Sequence, residues 1–224
     1  MIQREYIGTA YVPGGEELVL YRRGADFMIV MGHNELMNTR MSGSEEALAR
    51  MTIEKLGKQG RGAHLLIGGY GMGFTLRTAL KELNESGRAT VAELVPGIID
   101  WARGPMAEVT AGCLDDPRVR LVEDDVFEMI SRSRDMYDGI LLDVDNGPDG
   151  LTRPGNNRLY AMRGLKAAWD ALRPGGILAV WSAARDPAFT RRLENAGFQV
   201  DEVGVRARSN GKGAHHVIWF ARRS

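Results

Sequence analysis

Closely spaced glycines follow an apolar run in HLLIGGYGMG, residues 64–73, and lead directly into the helix-like FTLRTALKEL. This order is typical of a strand, a tight turn and a helix N-terminus. Glycine lets the backbone turn sharply and lets a ligand approach the main chain, and the free N–H groups of a helix start favour electron-rich ligand atoms. The loop is therefore a candidate ligand-binding element. Its candidate binding residues are Gly68, Gly69, Tyr70, Gly71 and Gly73.

Acidic residues end the next two strand-like runs. Glu93 closes the run in ATVAELVP, where an acidic side chain can hold both hydroxyls of a ribose; the alternative is that Glu93 caps the helix that Pro96 opens. Asp124 and Asp125 follow RVRLV, and one carboxylate there can accept a hydrogen bond from an exocyclic amine such as that of adenine. The alternative for both is an acidic helix N-terminus. Together with the glycine loop, these positions predict a nucleoside site.

Two more acids follow the strongly apolar run YDGILL. Asp143 and Asp145 are separated by one residue and precede a turn-forming Gly-Pro pair. Burying a carboxylate at a strand end costs free energy unless a ligand or another partner interacts with it. They can hold a cationic substrate, and one can act as a general base toward an amine nucleophile. The alternative for Asp145 is an Asx-type turn with Asn146. We therefore predict Asp143 and Asp145 as the candidate catalytic residues.

Composition and charge restrict the class of ligand. Lys plus Arg and Asp plus Glu both total 29, so no strong overall field attracts nucleic acid or an anionic membrane. No apolar stretch approaches the ~20 residues of a membrane span. One cysteine cannot form an internal disulfide, and no Cys/His cluster occurs, so we expect a cytoplasmic protein without a metal. The residues considered for a metal site are Cys113, His33, His64, His215 and His216.

The elements that must position these residues change in pattern near residue 42. Residues 1–42 contain three β-rich runs, EYIGTAYV, EELVLYRR and DFMIVMG, and predict a small N-terminal β-ribbon. From residue 62 onward strand-like and helix-like runs alternate, which indicates an α/β fold with a Rossmann-like, doubly wound parallel sheet. The runs FQVDEVGVRA and AHHVIWFARR predict a C-terminal antiparallel hairpin. We divide the chain into a β-rich segment, 1–42, and a nucleoside-binding catalytic domain, 43–224.

A doubly wound sheet that ends in an antiparallel hairpin resembles the class I S-adenosylmethionine-dependent methyltransferase fold. Within that fold, residues 45–183 resemble the polyamine aminopropyltransferases, the spermidine synthase-like branch. Five motifs occur in the family's order: LLIGGYGMG, VAELVP, RVRLVEDDVF, YDGILLDVDNGP and ALRPGGILAVWSA. The resemblance implies that Glu93 binds the ribose, that Asp125 contacts the adenine and that Asp143 is the base.

Several positions depart from the family's pattern. The GGGDGG loop of the family has an aspartate that helps hold the amine of decarboxylated S-adenosylmethionine, and this chain has Gly71 there. Gly69-x-Gly71-x-Gly73 is also the GxGxG loop of ordinary methyltransferases, whose donor is S-adenosylmethionine itself. The family's Tyr-His-Glu stretch is replaced by GSEEALARM, and Asp145 matches the second family aspartate only loosely. The N-terminal β-portion is smaller than the family's strand domain.

The leading hypothesis is a spermidine synthase-like transferase of polyamine biosynthesis, which moves an aminopropyl group to a small amine. The first alternative is an S-adenosylmethionine-dependent methyltransferase of a small molecule, and the second is a non-catalytic nucleoside-binding protein. Zero net charge disfavours a nucleic-acid methyltransferase. The expected donor is S-adenosylmethionine or its decarboxylated form, with no metal, and no nucleic acid or membrane partner is expected. The resemblance leaves a homodimer open as the assembly.

Overall fold

The computed structural model describes residues 3–144 and 157–224 and begins with a four-stranded antiparallel sheet in the order β1-β2-β3-β4. Its strands are β1 (Glu5–Tyr11), β2 (Glu17–Arg23), β3 (Asp26–Met31) and β4 (Asn34–Asn38). The first three coincide with the predicted β-rich runs. The fourth, NELMN, is mostly polar and was not predicted; pairing with β3, which sets Met37 opposite Ile29, holds it in the sheet.

A seven-stranded sheet follows, in the order β10-β11-β9-β8-β5-β6-β7. Its strands are β5 (His64–Gly68), β6 (Arg88–Ala92), β7 (Val119–Val122), β8 (Tyr137–Leu142), β9 (Leu172–Ser182), β10 (Gln199–Arg206) and β11 (His215–Arg222). Neighbouring strands from β5 to β9 run parallel, whereas β11 lies antiparallel to both β9 and β10. The predicted doubly wound sheet and C-terminal hairpin are therefore confirmed.

Helices cover both faces of this sheet. They are α1 (Gly43–Lys55), α2 (Phe74–Glu82), α3 (Pro96–Arg103), α4 (Ala107–Thr110), α5 (Val126–Arg132), α6 (Asn157–Tyr160), α7 (Met162–Ala171) and α8 (Pro187–Asn195). Successive residues of β8 point to opposite faces, so Leu141 joins the core formed with α1, α2 and α3, whereas Leu142 joins the core formed with α5, α7 and α8. Within the described ranges, no helix is both long and apolar enough to cross a membrane.

The N-terminal sheet packs against the same edge of the central sheet at which the parallel strands end. Leu20 and Ile29 of this small sheet belong to one hydrophobic core with Ile99 of α3. A Cβ at Gly97 would lie 2.5 Å from the Ala10 Cβ, so the glycine permits the close approach of β1 to α3. This packing brings β2, β3 and β4 over the loops that follow β5 and β6.

Candidate active site

A cavity lies where the carboxyl ends of β5, β6, β7 and β8 meet the N-terminal sheet. Residues that follow different parallel strands converge there because the strands end at one edge of the sheet. The predicted site residues that line the cavity are Gly69, Gly71, Glu93, Asp124, Asp125 and Asp143. The N-terminal sheet supplies an apolar wall that consists of Leu18, Ile29, Met31, Leu36 and Met37. Sequence reasoning did not connect these strands with the site.

Two glycines of the loop occupy positions where a side chain does not fit. Gly69 has a φ of +83°, and a Cβ on it would lie 2.9 Å from the carbonyl oxygen of Asp143. Gly71 has a φ of +55°, and a Cβ there would lie 2.7 Å from Cε of Met37. Both φ values favour glycine. The loop therefore passes directly between the end of β8 and the wall made by β4.

The other three predicted loop residues lie behind the cavity wall. Within the described part of the chain, Gly68, Tyr70 and Gly73 are not among the residues that line the cavity. Tyr70 is 5% exposed, its hydroxyl lies 3.3 Å from Sγ of Cys113, and burial raises the pKa of its phenol. A Cβ at Gly73 would lie 2.8 Å from that hydroxyl. These residues shape the loop from its core side.

The Glu93 carboxylate joins the glycine loop to the start of α3. Its Oε2 accepts a hydrogen bond from the Tyr70 N–H at 2.8 Å, and its Oε1 accepts one from the Val95 N–H at 2.8 Å. Glu93 is 5% exposed, and burial raises its pKa while these backbone donors lower it. The N–H groups of Gly71 and Leu94 also lower its pKa, and the side chain lines the cavity, where a ligand hydroxyl can reach it. Glu93 does not cap α3 in the way of the alternative, because the helix start has no side-chain cap hydrogen bond and Glu93 bonds the N–H of the N-cap residue Val95.

Asp125 is the N-cap residue of α5. Its Oδ1 accepts a hydrogen bond from the Phe127 N–H at 2.8 Å, and its other oxygen pairs with Arg158. Asp124 accepts a hydrogen bond from the Asp125 N–H at 2.8 Å. The helix-start alternative thus describes the local geometry of Asp125. Both acids nevertheless line the cavity, on the side that belongs to β7.

The carboxylate of Asp143 lies just after β8 and is partly buried. Its Oδ2 accepts a hydrogen bond from Oγ1 of Thr75, in the first turn of α2, at 3.3 Å. Burial raises the pKa of Asp143, and the Thr75 hydroxyl lowers it in part. A carboxylate with a raised pKa takes up a proton more readily, which suits a general base. The second catalytic candidate, Asp145, lies outside the described residues.

A further acid, Glu45, lines the cavity and was not predicted. It lies in the first turn of α1, is 7% exposed, and accepts a hydrogen bond from the Ser44 hydroxyl at 2.7 Å. Burial raises the pKa of Glu45, and the nearby charge of Asp143 raises it further. The sequence carries one signal for this position. Glu45 shares the helix face of Leu48, Ala49, Thr52 and Ile53, at the spacing of a buried apolar stripe.

The cavity is strongly acidic. The five acids that line it are Glu45, Glu93, Asp124, Asp125 and Asp143, and its described lining contains no Lys, Arg or His. Among the described residues, no ion pair involves Glu45, Glu93 or Asp143. The described residues also contain no group of three or more His, Cys, Asp or Glu that could hold a metal ion. Such a cavity favours a cationic ligand over an anionic one.

Residues 43–193 match the family model described as "Spermine/spermidine synthase domain". The chain is 28% identical over 205 residues to a polyamine aminopropyltransferase of Mycobacterium tuberculosis (strain CDC 1551 / Oshkosh), an alignment that covers 88% of this chain and 38% of that protein. It is 32% identical over 120 residues to polyamine aminopropyltransferase 2 of Pseudomonas aeruginosa, which covers 52% of this chain and 32% of that protein. The chain therefore spans less than two fifths of the length of these relatives.

Among solved structures, the fold is similar to that of spermidine synthase from Thermotoga maritima. The TM-score is 0.76 at 19% sequence identity, and the match covers 98% of this chain and 73% of that chain. This similarity confirms the predicted methyltransferase-type fold, including the antiparallel N-terminal strands.

Proposed function

The chain belongs to the spermine/spermidine synthase family, and on this premise we propose that it is a transferase that moves an aminopropyl group from decarboxylated S-adenosylmethionine to a small amine. The names of the curated relatives, polyamine aminopropyltransferases, support this type of reaction. The proposal also places the protein in the cytoplasm, with a small-molecule amine as its partner.

The acidic cavity is the observation that carries this proposal. S-adenosylmethionine has a carboxylate, which would lie among Glu45, Glu93 and Asp143 without a described basic residue to balance it. Two like charges 4 Å apart repel by about 4 kcal/mol at an intermediate effective dielectric constant. The decarboxylated donor lacks this group and keeps its sulfonium and ammonium cations. The charge of the cavity thus favours the decarboxylated form.

The proposed nucleoside contacts follow the strand ends. Glu93 binds the ribose hydroxyls, and Asp124 or Asp125 accepts a hydrogen bond from the adenine amine. Gly69 and Gly71 let the sulfonium part of the donor approach the main chain. Residues 1–42 act as a cover over the catalytic domain, 43–224, because their apolar side chains line the cavity.

The proposed chemistry is a nucleophilic displacement. The lone pair of the acceptor nitrogen attacks the propyl carbon next to sulfur; the C–N bond forms, and the C–S bonding pair stays on sulfur, which leaves as a neutral thioether. Asp143 takes the proton that the nitrogen loses. Alignment of the reactants contributes up to ~7–11 kcal/mol in favourable cases, and a general base contributes about 10²–10⁴-fold. We propose Asp145 as a second acid for the cationic acceptor.

Product analysis tests the proposal. The purified protein is incubated with S-adenosylmethionine or its decarboxylated form and a panel of polyamines and small amines, and the nucleoside product is identified by mass spectrometry. Methylthioadenosine above the no-enzyme background supports aminopropyl transfer, and its absence contradicts it. Asp143→Asn should lower kcat by about 10²–10⁴-fold. Asp170→Asn, on a partly exposed position of α7 outside the cavity lining, is the matched control and should keep full activity.

A second candidate, methyl transfer from S-adenosylmethionine to a small molecule, is favoured by one observation. The loop has no acid at Gly71, and Met37 fills the space beside it. In the same assay this reaction would release S-adenosylhomocysteine instead of methylthioadenosine, so the identity of the nucleoside product distinguishes the two candidates.

A further inference from the structure

Glu45 is a buried carboxylate to which neither the nucleoside contacts nor the proton transfer gives a role. It lies on α1 and lines the same cavity as the acids that follow β6 and β7. The Ser44 hydroxyl donates a hydrogen bond to its carboxylate, and no other side chain among the described residues does so. Burial without a cation disfavours the ionised carboxylate and raises the pKa of Glu45 to about 8, so a cation that enters beside Glu45 stabilises its ionised form.

A hydrogen-bonded chain fixes the orientation of this carboxylate. Nδ1 of His216, on β11, lies 3.0 Å from Oγ of Ser44. The Ser44 hydroxyl has one hydrogen and donates it to Glu45, so His216 donates to Ser44 through its Nδ1–H. Burial lowers the pKa of His216, which keeps the ring neutral. These hydrogen bonds therefore orient the Glu45 carboxyl group and bring no positive charge to it.

The aromatic side chain next to these hydrogen-bonded residues has a polar atom without a hydrogen-bond partner. Trp181 lines the cavity, and its ring lies 4.8 Å from the His216 ring. The indole Nε1 of Trp181 is buried and has no hydrogen-bond partner among the described residues. Buried polar groups without partners are rare, and the face of an indole ring attracts cations. The indole N–H needs an acceptor atom, which an ammonium group lacks. Trp181 therefore indicates a ligand that brings an acceptor atom to this wall, and the ring face is the part that can contact a cation.

We propose that Glu45 is a specificity residue whose carboxylate binds a primary ammonium group of a substrate, with Ser44 and His216 as its positioning residues. The proposal rests on aminopropyl transfer as the function. Both the propyl chain of the donor and the amine acceptor carry a primary ammonium group. Either substrate can therefore supply the group that Glu45 binds, and the experiment tests the two substrates separately.

The test compares Glu45→Gln with Glu46→Gln. Gln keeps the shape of Glu and removes the charge. Glu46 lies in the same helical turn, accepts a hydrogen bond from the Ser42 hydroxyl and does not line the cavity among the described residues, so it is the matched control. In the donor arm, calorimetry gives the Kd of decarboxylated S-adenosylmethionine and of methylthioadenosine, which lacks the ammonium. In the acceptor arm, steady-state kinetics gives KM and kcat for the amine.

Loss of a hydrogen bond to a charged group weakens binding by about 10- to 100-fold. If Glu45 binds the donor, Glu45→Gln weakens decarboxylated S-adenosylmethionine by this factor and leaves methylthioadenosine unchanged. If Glu45 binds the acceptor, the KM of the amine rises by this factor while both nucleosides bind as before. Glu46→Gln changes neither. Ser44→Ala, which keeps the charge and frees the carboxylate, should give a smaller effect in the same arm.

The inference is overturned if Glu45→Gln changes neither arm, or if it weakens methylthioadenosine as much as the donor, which is the result of a purely structural role. A Glu45→Gln variant that fails to fold leaves Ser44→Ala to decide: no change in either arm overturns the inference. Failure of the proposed function looks different. In that case the wild-type protein releases no methylthioadenosine from the decarboxylated donor with any amine, whatever the behaviour of the variants.

Discussion

Replacing Gly69 with alanine should destabilise the protein clearly more than the same change at Gly57. Both glycines have positive φ, +83° and +65°, so both substitutions incur the left-handed penalty of about 1–2 kcal/mol. At Gly57 a Cβ meets nothing within 4 Å, whereas at Gly69 it would lie 2.9 Å from the Asp143 carbonyl oxygen and 3.3 Å from Cγ1 of Val144. Overpacking of this kind adds about 1–3 kcal/mol. We expect a total of roughly 2–5 kcal/mol at Gly69 and roughly 1–2 kcal/mol at Gly57.

Urea unfolding followed by circular dichroism measures both changes, because a midpoint shift at constant m-value reports stability alone. Methylthioadenosine affinity, measured by calorimetry, should fall for Gly69→Ala and stay unchanged for Gly57→Ala, since the new methyl displaces the loop from Asp143. Equal midpoint shifts for the two variants would refute the reasoning. They would mean that the loop moves freely away from the end of β8.

Three further predictions concern single side chains. Asp125→Ala should cost about 0.5–2 kcal/mol in urea unfolding, because α5 loses its N-cap acceptor; an unchanged midpoint would contradict this. Thr75→Val should move the acid limb of the kcat/KM pH profile upward, because the hydroxyl that lowers the pKa of Asp143 is lost; a downward shift would contradict it. Burial raises the pKa of Glu45 above its ordinary 4.5, so the folded protein holds a proton that the unfolded chain releases, and the free energy of unfolding falls as pH rises from 4.5 through the raised value. Glu45→Gln should reduce that fall between about pH 5 and about pH 8 in urea titrations, and an unchanged slope would show that other groups cause it.

The parallel sheet and most of the cavity wall were predictable from the sequence, because their signals are local. Strand-like runs alternate with helix-like runs, and Glu93, Asp125 and Asp143 each follow such a run directly. Parallel strands end at one edge, so acids that are far apart in the chain converge without any knowledge of side-chain contacts. This rule predicts that the strand ends converge. It does not predict where each side chain points, as the burial of Tyr70 against Cys113 shows.

The parts of the site that were not predicted from the sequence depend on contacts between distant segments. Met37 reaches Gly71 only because β4 pairs with β3 and the N-terminal sheet packs on α3, and the polar sequence NELMN carries little sign of this. Glu45 lies in the first turn of α1, where acidic residues are common on any surface helix, so the sequence does not single it out. Its place on the stripe with Leu48 and Thr52 indicated burial, but burial beside Asp143 follows from the packing of α1 on the sheet.

The charge of the cavity and its selectivity have one physical origin. Burial raises the pKa values of both Glu45 and Asp143, and the Asp143 charge raises that of Glu45 further, so near neutral pH the ligand-free pair retains a proton that two exposed carboxylates would lose. An ammonium group that binds beside them stabilises the ionised forms. Binding is therefore coupled to the release of a fraction of a proton to the buffer. The observed binding heat of an ammonium ligand should then change with the ionisation enthalpy of the buffer, whereas that of methylthioadenosine should not. Glu45→Gln removes the member with the higher pKa and should reduce this buffer dependence near neutral pH, because Asp143 keeps only its burial-raised pKa of about 6.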